Sequence, residues 1–220
     1  MTCTEIVSLL KDLVLSGAAI TGAVVAVKGL STWQHQLKGQ SEYELSRRIL
    51  VTVFKYRDAI NGVRHPAMFA YEMPSPPEDA AAKMNPEEIR FYGTSKAYKE
   101  RWSKVQAERK SLYADILETE AIWGSELKVL FKNVFVLEHE LFTRISHYIE
   151  LINPDAAEAS KEAIRSIDKK ARDIMYDNLS DEPDEYKKDL FSAIEQIEKY
   201  LKPKLSHEKV SYGVSPDKIP

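Results

Sequence analysis

The sequence predicts an all-α protein, an N-terminal transmembrane helix followed by a long-helix antiparallel bundle with coiled-coil character. Three observations predict it. Glycine is scarce, at 8 of 220 residues, whereas a β-rich fold needs turn glycines. An uncharged apolar run, Leu13 to Val27, stands near the start. Beyond it, apolar residues recur at three- and four-residue steps over most of the chain. With 44% apolar and 30% charged residues the composition is globular, and the length suits one sizeable domain plus an anchor.

Residues 1–33 form the expected membrane anchor. A bilayer core takes about 20 apolar residues. The uncharged run is shorter than that, and it reaches spanning length if Lys28 snorkels its ammonium to the interface and Trp33 sits at headgroup level. Gly17 and Gly22, with Ala18, Ala19, Ala23 and Ala26, give a small-residue face of the kind found where membrane helices approach, without a strict GxxxG. A cleaved signal peptide would want cations ahead of the run, and Glu5 is the only charge before Lys11. A buried core helix of a soluble protein stays an alternative at this length. An interfacial helix would need a polar face, and none lies between Leu13 and Val27. Seven cations lie from Lys28 to Arg64 against Glu42, Glu44 and Asp58, which predicts a cytoplasmic body, an outside N-terminus and an inner (plasma) membrane location.

Residues 34–203 form the helical body. Ser41 to Arg64 reads as an amphipathic helix through Leu45, Ile49, Val53, Tyr56, Ile60 and Val63, with Gly29 and Gly39 as weak points behind it. It ends at His65-Pro66, because the residue before proline disfavours the α region. Prolines 66, 74, 76 and 77 mark a linker over 66–84. Asn85-Pro86-Glu87-Glu88 starts the next helix with a capping side chain, a proline and two acids. Gly93-Thr94-Ser95 is a possible break. From there a heptad-like stripe that includes Trp102, Leu112, Leu127 and Leu141 runs to Ile152. Unbroken from Ser95, that helix would be about 85 Å long, with Gly124 as the predicted bend. Asn153-Pro154-Asp155 starts a third body helix over Ile164, Ile167, Ala171, Ile174 and Met175. A fourth uses Tyr186, Leu190, Phe191, Ile194, Ile197 and Leu201 and stops at Lys202-Pro203. Residues 204–220 read as a flexible tail.

Little chemistry is encoded. The single cysteine, Cys3, rules out an internal disulfide and a cysteine metal site, though not an intermolecular bridge. His139 and His147 are eight apart, two helical turns, and so cannot share a metal; both read as solvated residues. Nearly all carboxylates fall on polar helix faces, where solvation is the default. There is no phosphate loop and no nucleophile elbow. No catalytic residue, cofactor or metal is predicted, and the balance leans away from an enzyme. A net charge of −3 argues against nucleic acid as a partner. The basic stretch Lys96 to Lys110 reads first as a charged coiled-coil face with Trp102 in the seam. Arg57 and Arg64 share a helix face and are the candidate polar or anion contacts, against the plainer reading that each pairs with an acid of a neighbouring helix.

The segment Gly29-Leu30-Ser31-Thr32-Trp33-Gln34-His35-Gln36-Leu37-Lys38-Gly39, followed by Glu42-Tyr43-Glu44-Leu45-Ser46-Arg47-Arg48 and Tyr56-Arg57-Asp58-Ala59-Ile60, resembles a group of uncharacterised bacterial proteins. The resemblance covers roughly residues 13–64. It implies a short N-terminal membrane helix, a helical cytoplasmic body and a bacterial source, and it carries no activity with it.

Three function classes follow. The first is a single-pass membrane protein, in contact with lipid, whose body binds a protein partner or itself as scaffold, sensor or regulatory partner. The second is a membrane-tethered enzyme with a polar site inside the bundle. The third is a membrane-disrupting effector of a bacterial defence or toxin system. The anchor itself predicts that Ala23→Lys moves the protein from the membrane pellet to the supernatant in cell fractionation, whereas Lys28→Leu leaves it in the pellet.

Overall fold

Helix α1 (Cys3–Arg64) opens the computed structural model, which describes residues 3–180 and 182–205. The helix runs through Gly29 and Gly39 without a break. Glycine costs a helix about 1 kcal/mol relative to alanine, but neither residue takes a positive φ that would end it. The chain divides into two compact units. One holds α1 as far as Glu44 together with the chain from Lys204, and the other is Leu45–Pro203.

In the first unit every residue from Val14 to Leu37 is exposed, including Ile20, Val24, Val25 and Val27. The helix is long and apolar enough to cross a membrane by length and composition, with a mean hydropathy of 1.6 over a stretch of which none is buried.

The second unit holds the rest of α1, a 3-10 turn (Ala70–Glu72), α2 (Glu78–Ala81), α3 (Pro86–Trp123), α4 (Glu126–Ile152), α5 (Glu158–Asp168) and α6 (Glu185–Leu205) as far as Pro203. Among the described residues every regular element is helical. Ile49, Val53, Tyr56, Ile60 and Val63 of α1 are buried, as are Val105, Leu112 and Ile116 of α3, Leu127, Phe131 and Leu141 of α4, and Tyr186, Leu190 and Ile197 of α6. Each such aliphatic side chain withdrawn from water contributes about 1.5–3 kcal/mol.

The expected start of α3 is present. The Asn85 side chain accepts from the amides of Glu87 and Glu88 at 2.9 and 3.0 Å, and the Glu88 carboxylate accepts from the Asn85 amide at 2.7 Å. The possible break at Gly93-Thr94-Ser95 is absent, and α3 passes straight through it. Gly93 serves a different purpose: a Cβ there would lie 3.3 Å from Met73 Cβ, so its absence lets the linker lie close against the helix. At Gly124 the predicted bend is a complete break. Its φ of +86° suits glycine, and the two-residue turn replaces one long helix with the pair α3 and α4. Along that pair Tyr98 meets Tyr148, Trp102 meets Phe142, Arg109 meets Glu138 and Glu120 meets Lys128.

Three expectations are corrected beyond α4. Asn153 does not cap a helix at Pro154; its side chain accepts from the Asp155 amide at 3.0 Å in a local turn, and α5 begins at Glu158. The helix expected through Met175 stops at Asp168. Ile174 and Met175 are buried all the same, carried inward by an irregular segment, while Ile167 is exposed. Finally, α6 continues past Pro203 to Leu205, since a proline in the last turn forgoes only one helical hydrogen bond. Of the expected tail, residues 206–220 lie outside the described residues.

The proline-rich linker is tied down at its first half. Arg101, within the stretch read as a charged coiled-coil face, is buried. Its guanidinium donates to Glu72 at 2.7 and 2.8 Å, to the His65 carbonyl at 2.8 Å and to the Ala67 carbonyl at 2.7 Å. The hydrogen bond from Arg101 outweighs burial and, helped by the Phe69 amide, holds the Glu72 carboxyl down at about 2 against an ordinary 4.5. A folded-state value below the unfolded one means the contact stabilises above about pH 4.5 and is lost as pH falls toward 2. The Phe69 amide donates to Glu72 at 3.0 Å and reports on this directly. We expect it to be protected from hydrogen exchange at neutral pH, to lose protection over that acid interval, and to be unprotected at neutral pH in Glu72→Ala, which has no side-chain acceptor.

Candidate functional site

The residues singled out from sequence occupy three separate settings. Lys28 and Trp33 are exposed on α1. Arg57 donates to its neighbour Asp58 at 2.9 and 3.0 Å and lies over the rings of Phe54 and Phe191 at 5.2 and 6.0 Å. Arg64 is fully buried. It donates to the carbonyls of Ile174 and Tyr176 at 2.8 and 3.0 Å and to Asp184 at 2.9 Å, with its guanidinium 4.6 Å from the centre of the Tyr186 ring. Arg57 and Arg64 thus share a helix but not a binding site. Among the described residues no group of His, Cys, Asp and Glu is placed to hold a metal.

The buried polar centre of the body is Glu138, on α4. Its side chain is 4% exposed. It accepts from the Tyr56 hydroxyl of α1 at 2.5 Å and from Arg109 of α3 at 2.8 Å. Burial first, and then the Glu138 charge, push the Tyr56 hydroxyl well above its ordinary value, so it stays a hydrogen-bond donor. Arg109 also lies 4.9 Å from the centre of the Phe135 ring, and its side chain is half exposed.

That exposed side of Arg109 opens onto a groove between α3 and α4. Two adjoining hollows make it, of about 690 and 710 Å³, and they share Tyr113 and His139. The first is mostly apolar, with Ile116, Val129, Phe135 and Val136 in its walls. The second is more polar, bounded by Trp102, Gln106, Arg109, Lys110, Glu138 and Phe142. Tyr113, Val129, Val136 and Phe142 are exposed here although they are large and apolar.

His147, read from sequence as solvated, shares a hydrogen bond with Asp168 at 2.8 Å, and Arg144 meets the same carboxylate oxygen at 2.7 Å. His139 is exposed and stands in the groove wall.

Sequence reasoning passed over Glu138 by placing carboxylates on solvated faces. The spacing carried a signal: Phe131, Val134, Glu138, Leu141 and Ile145 follow three- and four-residue steps, which puts the acid in a core seam. An acid at such a position calls for a buried donor. Tyr56→Phe removes one of the two donors and leaves a buried carboxylate oxygen unmet. We expect a loss of about 1–2 kcal/mol in urea unfolding, and an unchanged midpoint would rule out this role for Tyr56.

Comparison with known proteins gives no match, since no family model fits the chain and no curated protein or solved structure is similar to it.

Proposed function

We propose that the chain is a single-pass, membrane-anchored helical protein whose body works by contact with another protein or with a second copy of itself. The observation that carries the reading is the exposed apolar stretch of α1. From Val14 to Val27 it is apolar on every side, and none of it is buried among the described residues. A helix apolar all round calls for an apolar surrounding, and its exposure counts against the core-helix alternative. Lys28 and Trp33 are exposed where interface anchors would stand. The excess of cations beyond Lys28 supports a cytoplasmic body at the inner membrane of a bacterium, with the N-terminus outside.

For the body, the pairings support an antiparallel bundle with coiled-coil character. Partner numbers fall along α4 as they rise along α3, from Tyr98 with Tyr148 to Glu120 with Lys128. They fall again along α4 as α6 rises, from Tyr186 with Leu137 to Tyr200 with Trp123, the residue just ahead of the α3–α4 turn. A tethered enzyme would want Arg57, Arg64 and acids of the long helices to converge around an open cavity. Arg57 is instead paired with Asp58, and Arg64 is closed in by backbone carbonyls. An accessible feature of the body is the apolar and cationic groove, which favours recognition over turnover.

Carbonate extraction of membranes, combined with labelling of Cys3 by an impermeant maleimide on intact cells, tests anchor and direction together. The expected result is protein in the pellet and Cys3 labelled from outside. Release by carbonate overturns the anchor, and labelling only after lysis reverses the orientation.

A further inference from the structure

We infer that the α3–α4 groove is a docking site for one amphipathic helix with acidic flanks, supplied by another protein. The inference rests on reading the body as an interaction module, and it names the surface and the chemistry of the partner.

Size and shape come first. The groove extends along α4 from Lys128 to Phe142, about 21 Å at the helical rise of 1.5 Å per residue, which matches a helix of about 14 residues. Both walls are helices, so there is no strand edge to pair with an extended peptide, whose amides and carbonyls would stay unmet. A helix satisfies its own backbone and needs only a groove for an apolar stripe. Val129 and Val136 are seven residues apart on α4, and with Tyr113 of α3 they present exposed apolar surface over two turns.

Charge then selects the partner. Arg109, Lys110, Lys128 and Lys132 line the groove against two carboxylates, Glu120 and Glu138. Glu120 is engaged by Lys128 at 2.9 Å and Glu138 by Arg109 at 2.8 Å. Among the described residues, Lys110 and Lys132 meet no carboxylate of this chain. The groove therefore offers an apolar floor and two uncommitted cations, which fits Glu or Asp on the flanks of an incoming apolar stripe. A basic helix meets the opposite field.

The test uses the full chain in phosphatidylcholine nanodiscs and a fluorescent 14-residue helical peptide. The peptide carries Leu at positions i, i+3, i+7 and i+10 with Glu on both flanks, and a second peptide carries Gln in place of every Glu. We expect saturable binding seen by anisotropy, with the Glu peptide about tenfold tighter than the Gln peptide, the scale of two exposed ion pairs. Lys110→Glu combined with Lys132→Glu should abolish that preference. Val136→Asp, at an exposed position that leaves the fold intact by circular dichroism, should weaken both peptides at least about tenfold. Absence of binding, or equal affinity for the two peptides, overturns the inference. So does p-benzoylphenylalanine at position 129 cross-linking to a second copy and not to the peptide, or displacement of the peptide by phosphatidylserine vesicles. Protein that stays carbonate-resistant with Cys3 labelled, yet binds neither peptide, defeats the groove and leaves the anchor standing.

Discussion

A buried guanidinium at the end of α1 decides how the second half of the body is arranged. Arg64 sits in the last turn, where the helix dipole favours a cation. Removed from water, it must spend its donors inside the protein. The carbonyls of Ile174 and Tyr176 accept two of them and Asp184 accepts another. The Arg64 carbonyl in turn accepts from the Asp177 amide at 2.9 Å. Arg64 thus meets three backbone groups of the segment between α5 and α6, and Arg144 of α4 meets a fourth, the Arg172 carbonyl at 2.9 Å, so the segment need not be helical to be buried. Asp184 is shared: one carboxylate oxygen takes Arg64, and the other takes the Lys187 amide at 2.9 Å at the start of α6. Burial works against that charge, but these hydrogen bonds hold its carboxyl below the ordinary value. One ion pair therefore places the loop and starts the helix after it.

The same device recurs twice. Arg101 fixes the chain leaving α1, and Glu138 joins α1, α3 and α4 through Tyr56 and Arg109. Buried pairs of this kind add little net stability against an apolar core, since desolvation offsets attraction. Breaking one is costly, because the partner is left charged and unmet. We read their role here as selection among packings. Apolar stripes on four long helices could mesh in several registers, and a register that misplaces Arg64 or Glu138 strands a charge.

These placements mark the boundary of what the sequence discloses. Helix starts and stops governed by neighbours in sequence were legible: the Asn85 cap and the proline after α1 each act within a few residues, while Gly124 was legible as a bend and not as the break it makes. The buried stripes of α1 and α6 were legible for the same reason, although Phe191 stays partly exposed. The irregular stretch after α5 was not, because its carbonyls are met by a side chain 110 residues away. A periodic pattern of Ile164, Ile167, Ile174 and Met175 looks helical when no such donor is visible. Arg101 was misjudged likewise, since only the folded chain brings Glu72 against it. Of the candidate site, Arg64 was marked as a polar contact, and its pairing with an acid near a neighbouring helix was the plainer reading. The groove was invisible, because it depends on which faces of α3 and α4 the other helices leave open.

The exposed apolar stretch of α1 and the apolar groove of the body differ in a way that bears on what covers each. Along α1 from Val14 to Val27 no charge interrupts the surface and every residue is exposed. Such a surface makes no choice among apolar surroundings, and a bilayer is the surrounding proposed for it. The α3–α4 groove is concave, and its apolar floor is edged by Lys110, Lys128 and Lys132. Cations held beside an apolar hollow would be costly to bury in lipid tails and cost little at the rim of a protein contact. The mixture of the two chemistries selects for a partner that carries both, with an apolar stripe for the floor and carboxylates for the rim. An unbroken apolar helix suits anchoring, and a charged, shaped groove suits discrimination between partners.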